Sequence, residues 1–349
     1  MADLGELEAG YFSDGTPIAR DADGTLWTSY MLFGKSDMEV STVQWGVTSY
    51  NAAEEMCGSC DANRTDKPFT NLRENSEWRP SEKMSNVQYM SRVKQNHPLT
   101  RSRYFGKHFN RFATMHVSDL KGVCAIAAGS LMHGLVRREA RLGANQELRM
   151  AAINDFIMDE YKTTIVSSRV PALTIDNVSG GTLDQHPHLH GPLIKAANTR
   201  PLMPIMEKLA RKYHDSGSVF DKAVIQVFSH MCGFYAVMYA GGVFFTKEQL
   251  AQYRMHILTV GKYWMLLRDM SRMDECMEWY ITPKVHAFQH LAYQAELINP
   301  RYVQNDAEES LIGVLTRIYH NSANGPYKRT VQKVVLYKYF LYMVLLFNL

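Results

Sequence analysis

Cysteine is scarce in this chain: five in 349 residues, at positions 57, 60, 124, 232 and 276. They are too few, too scattered and odd in number for a disulfide framework, so a reducing compartment is expected. Net charge is equally slight, +3. A bulk polycation that would hold nucleic acid by charge alone is excluded, and any basic face has to be local. Internal repeats and low-complexity tracts are absent. The first ten residues, MADLGELEAG, are acidic and lack the basic and apolar regions of a secretory signal. No long uncharged apolar run stands out. The most membrane-like stretch, Val331 to Leu349, is broken by Lys333 and Lys338. A span needs about 20 apolar residues, so a buried terminal helix and no membrane partner are expected.

What the chain does have is a globular balance. Hydrophobic residues make up 46% and charged residues 21%, enough apolar surface to pack a core and exclude disorder as the main state. The first thirty residues are rich in Gly and Asp and read as loop. Leu26 to Phe33 and Val40 to Val47 carry β-type patterns. Residues 49 to 115 form a long polar stretch, which in a compact protein is functional or has a small fold of its own.

Helical signals dominate afterwards. Ser118 reads as the cap of a helix to about Arg141, stopped by Gly143, and a second helix carries Leu148, Ala152, Phe156 and Ile157. A β-like interruption follows from Thr163 to Arg169. Further helices are expected near 201–214, 218–240, 247–272, 284–297, 306–320 and 329–347. Thr246 and Gln249 have the spacing of a capping box for the helix that starts near 247.

Several clusters carry candidate chemistry. Cys57-Gly-Ser-Cys60 has the spacing of half a zinc site, because a tight turn lets both thiolates face one ion. His97 or His108 are the nearest histidines that would complete it. His186, His188 and His190 alternate, so an extended segment would put all three on one face. His286 and His290 stand four apart on a helix face but lack the glutamate of a zinc-protease helix, and read as packing histidines. Glu308, Glu309 and Asp119 lie near helix starts, where the helix dipole alone favours them. Arg101, Arg103, Lys107 and Arg111 interleave with Tyr104, Phe105, Phe109 and Phe112, a pattern that suits phosphate pairing with base stacking.

Four blocks, in order, resemble the transposase-like proteins of CACTA-type DNA elements, especially the diverged copies abundant in dinoflagellate genomes. They are Phe33-Gly-Lys-Ser-Asp37 with Tyr50-Asn-Ala-Ala, Cys57-x-x-Cys60-Asp-Ala-Asn-Arg64 and Lys67-Pro-Phe-Thr70; Met115-His116-Val117-Ser-Asp119-Leu-Lys-Gly122-Val123; Lys195-Ala-Ala-Asn198-Thr-Arg200-Pro-Leu-Met-Pro204; and Pro283-Lys-Val-His286-Ala-Phe-Gln-His290 with Asn299-Pro-Arg301 and Glu308-Glu309. Together they span roughly residues 30 to 345.

The resemblance implies an α+β, helix-dominated fold: an incomplete ribonuclease-H-like core with a large helical insertion. The implied parts are a flexible segment 1–30, a partial core with the cysteine pair at 31–175, a helical insertion at 176–282 and closing helices at 283–349. It also implies a nuclear protein with DNA as partner. In such a core, carboxylates hold two Mg²⁺ ions that clamp the attacking and leaving oxygens of a phosphodiester. Asp37, Asp119 and Glu308 are the implied ligands, and Cys57 and Cys60 the implied zinc ligands. The chain departs from the pattern at Gly34-Lys35, where the family has Gly-Asp, and at Ala113-Thr114, where an aspartate often stands. Asn198 occupies the place of a glutamate. The resemblance implies a transposase-derived protein that binds DNA or transfers DNA strands, and these departures point to a degenerate copy, either a degenerate integrase or a retained DNA-binding remnant. A helical protein-interaction module built on Pro201 to Met270 is the alternative expectation.

Overall fold

The computed structural model describes residues 34–36, 56–93, 106–107, 110–166, 168–179, 186–215, 217–275 and 277–304, with the isolated residues 16 and 24. Met1–Val303 and Gln304–Leu349 form separate units, and the described architecture belongs to the first. The helices expected at 306–320 and 329–347, and the strands expected at 26–33 and 40–47, lie outside the described residues.

The fold is helix-dominated. Strand β1 (Gly34–Ser36) pairs in parallel with β2 (Asn110–Phe112), Gly34 opposite Asn110 and Ser36 opposite Phe112. The described residues do not show a ribonuclease-H-like core. Between the strands in sequence lie a short 3₁₀ helix, Arg79–Lys83, and helix α1 (Asn86–Arg92), which Ser85 and Gln88 close with a reciprocal capping box.

Ser118 does not cap the next helix. It sits inside a five-residue π-helical turn, Met115–Asp119, which is buried throughout. Helix α2 (Val123–Arg138) starts only after Gly122. Its residues from Val123 to Val136 are all buried, so it runs through the middle of the core rather than along a surface. Its small residues admit close neighbours. A Cβ on Gly129 would lie 2.3 Å from the His188 Cα. The 186–190 segment rests on the helix there, with the Leu189 N–H donating to the Ala125 carbonyl at 2.8 Å.

Helix α3 (Gln146–Thr163) and the short α4 (Ile175–Ser179) flank α2. Against the β-like expectation from Thr163 to Arg169, Thr163 ends α3 and residues 164–166, 168 and 169 carry no strand; the Arg169 guanidinium turns back to donate to the Tyr161 carbonyl of α3 at 2.9 Å. Helix α5 (Ala196–Tyr213) begins five residues before the expected start at Pro201. The Asn198 side chain accepts from the Lys195 N–H at 2.9 Å and Thr199 Oγ1 donates to the Lys195 carbonyl at 2.9 Å, which fixes a first turn ahead of the prolines.

Helices α6 (Val219–Ala240) and α7 (Lys247–Met273) pack along each other, with Ser218 and the Thr246–Gln249 box as their caps. Helix α6 is long and apolar enough, by length and composition, to cross a membrane, whereas the sequence singles out Val331 to Leu349 as the most membrane-like stretch. Here its apolar face is part of the core, with Val227, Phe228, Met231 and Phe234 fully buried. Helix α8 (Pro283–Gln294) packs on α7, on β2 and on the π-helical turn. The helices within 176–282 therefore share one core with α2 and α8.

Candidate metal centre

The Cys57-Gly-Ser-Cys60 turn is buried against α8. Cys57 and Cys60 are 3% and 0% exposed, so these thiols face protein rather than water. The knuckle is closed by its own amides: the Ser59 N–H donates to Cys57 Sγ and the Ala62 N–H to Cys60 Sγ, both at 3.4 Å. Across from it, Pro283 in the first turn and Thr282, whose side chain accepts from the Val285 N–H, start α8. The four-residue spacing then puts His286 and His290 on one face.

The four donor atoms converge. Cys57 Sγ lies 3.3 Å from His290 Nε2, Cys60 Sγ 3.3 Å from His286 Nε2, and the two Nε2 atoms are 3.1 Å apart. All four lie within 4.8 Å of one another, and all four residues are buried. They could hold a metal ion. A tetrahedron with metal–sulfur bonds of about 2.3 Å and metal–nitrogen bonds of about 2.0 Å has sulfur–nitrogen edges of about 3.5 Å. The observed edges are close to that, so the donors stand nearly where a closed four-coordinate site needs them.

The surroundings fix both rings. His290 Nδ1 lies 2.8 Å from Glu82 Oε1, and His286 Nδ1 lies 3.2 Å from the Phe69 carbonyl. A proton on each Nδ1 leaves both Nε2 lone pairs pointing at the thiols. Trp78 packs edge-on against both imidazoles, with centroids 4.4 and 5.4 Å away, and Phe112 stacks on His290. These aromatic walls exclude water from the cluster.

Without an ion, the cluster stores an unequal set of protons. Burial pushes the Cys57 thiol up, but the Cys60 hydrogen bond and the His290 and His286 imidazoles outweigh it and hold Cys57 well below the ordinary thiol range. Burial and the neighbouring Cys57 push Cys60 well above that range. Burial lowers His286. His290 is raised to about 9, because the Cys57 thiolate and the Glu82 carboxylate overcome the burial that would lower it. The shifts of Cys57 and His290 run in the directions that favour a proton on His290 over one on Cys57.

The other candidate residues fall elsewhere. The cysteine pair was matched on sequence to His97 or His108, which lie outside the described residues. The geometry brings it to His286 and His290, whose packing role and donor role coincide. The gap of more than 220 residues hid this pairing, and the four-residue histidine spacing was the available signal. Asp37 and Glu308 lie outside the described residues, as do Arg101 and Arg103.

Asp119 is fully buried, and its carboxylate is committed to other groups. It accepts from Arg200 Nε at 2.8 Å and from Arg200 NH2 at 2.5 Å, and from the Tyr235 hydroxyl. Lys107 turns its ammonium to the main-chain carbonyls of Glu82 and Met84. Arg111 is described only as the central residue of β2. The three alternating histidines do not form a metal-ligand cluster among the described residues: the His188 and His190 rings lie 5.2 Å apart, but His186 stacks away on Tyr280 with centroids 4.3 Å apart, and His188 Nδ1 meets the His186 carbonyl at 3.0 Å.

Comparison with models of protein families, with curated proteins and with solved structures finds no match for this chain.

Proposed function

We propose that Cys57, Cys60, His286 and His290 hold a structural Zn²⁺, and that the chain is a transposase-derived DNA-binding protein whose fold that ion clips together. The observation that carries the reading is the buried two-sulfur, two-nitrogen cluster. Such a donor set suits zinc, and four protein ligands leave no open position for a substrate, which fits a structural rather than a catalytic ion. The cysteine pair belongs to the first block of the transposase resemblance and the histidine pair to the fourth. The second block supplies the π-helical turn that packs on the same helix, and Lys284 of α8 donates to its Leu120 carbonyl at 2.7 Å. Three blocks far apart in sequence thus meet at one helix, which supports reading them as parts of one inherited core.

The Asp119–Arg200 ion pair favours a non-cutting descendant, because a carboxylate neutralised by a guanidinium is a poor Mg²⁺ ligand. The rival reading is a helical protein-interaction module without DNA. It is favoured by Lys107, whose ammonium is taken up by carbonyls and not presented to phosphate.

Fluorescence anisotropy with a labelled DNA duplex, in metal-loaded and chelated protein, tests the proposal. Binding by the loaded form that weakens steeply with salt is expected. Absence of binding in both forms would leave the interaction module. A Mg²⁺-dependent nicked product, lost in Glu308→Ala, would overturn the non-cutting reading.

A further inference from the structure

The metal ligands are held by a second layer that the two histidines do not share equally. His286 leans on a neutral main-chain carbonyl. His290 faces a carboxylate, Glu82, whose side chain is 4% exposed and whose Oε1 lies 2.8 Å from Nδ1. A carboxylate buried so deeply is costly unless its charge is used.

Glu82 is held from both ends. Its main-chain carbonyl accepts from the Lys107 ammonium. Its other carboxylate oxygen, Oε2, faces Arg79 NH1 at 3.7 Å, and both side chains are buried. Arg79 is itself locked: Nε donates to the Arg73 carbonyl at 2.8 Å, NH2 to the Leu72 carbonyl at 2.9 Å and to Gln289 Oε1 at 3.2 Å, and the guanidinium lies over Trp78. Gln289 comes from the same helix as the two histidines. A chain of groups therefore runs from α8 through Arg79 and Glu82 back to His290.

We infer that Glu82 is the positioning residue of the metal centre, with Arg79 as its anchor; this rests on the zinc reading of the cluster. The carboxylate keeps the His290 proton on Nδ1, aims Nε2 at the ion and draws positive charge onto the ring, which makes the nitrogen a stronger donor. His290 is the tightly held ligand and His286 the weaker one.

Competition of Zn²⁺ between the full chain and a chromophoric chelator tests this in the wild type, Glu82→Gln and Glu82→Ala, with Ser76→Ala as a control that removes a buried hydroxyl making no hydrogen bond. Glu82→Gln keeps an oxygen that can accept from Nδ1 but removes the charge, and it guards against a misfolded alanine variant. Losses of about 10-fold for glutamine and about 100-fold for alanine are expected, with Ser76→Ala unchanged. Co²⁺ bound to the glutamine variant should keep the wild-type thiolate charge-transfer band, because the four ligands remain. Unchanged Zn²⁺ affinity in Glu82→Gln and in folded Glu82→Ala overturns the assignment of Glu82 while leaving the metal site standing. Failure of the wild type to bind Zn²⁺ overturns the zinc reading itself.

Discussion

Withdrawing the ion should destabilise this fold by a finite, calculable amount rather than unfold it. The knuckle does not depend on the metal alone. Met56, Ala62, Phe69, Leu72 and Trp78 are buried in the same core as α2 and α8, and that burial survives chelation. What is lost is the binding free energy, and at free zinc a thousandfold above the dissociation constant this is about 4.1 kcal/mol. Unfolding midpoints move by about 2 to 4 °C per kcal/mol in domains of about 150 to 250 residues. A unit of this size belongs at the lower end, so a drop of about 8 °C is expected. Circular-dichroism melts before chelation, after it and after zinc is restored measure the shift. A midpoint unmoved by chelator refutes the clip. So does an equal shift in the double variant Cys57→Ser, Cys60→Ser, which has no site to lose.

Other outcomes follow from the same geometry. Zinc loading at pH 7 should release protons from the Cys60 thiol and from His290, both of which sit above neutrality when metal-free. Affinity should therefore fall as pH falls; calorimetry in buffers of different ionisation enthalpy gives the count, and zero released protons would contradict it. Asp119→Asn strands the half-buried Arg200 guanidinium and should cost about 3 kcal/mol in urea unfolding, with zinc stoichiometry unchanged. Gly129→Ala drives a methyl into the His188 main chain and should cost about 1 to 3 kcal/mol, read from the same urea curves.

The helical part of this fold is legible in the sequence because it rests on local rules. The Thr246–Gln249 box and the apolar spacing place α7 within a residue of its observed ends. The site is legible only by halves. The Cys57–Cys60 turn announces thiol ligation through its spacing, and His286 and His290 share a face by helical period. Neither signal says that the two halves meet, because long-range contact is set by packing of the whole core. Local rules mislead where they compete with burial. Ser118 has cap chemistry, but burial of the entire 115–119 turn against α5 and α8 takes it into a π-helical turn instead. Pro201 suggests a helix start, yet the Asn198 and Thr199 side chains fix a turn ahead of it.

Zinc-edge X-ray absorption on the purified full chain probes the central claim most directly. Two sulfur neighbours at about 2.3 Å and two nitrogen neighbours at about 2.0 Å are expected, with one zinc per chain. A shell of oxygen and nitrogen without sulfur would contradict the account, as would zinc retained with both cysteines replaced.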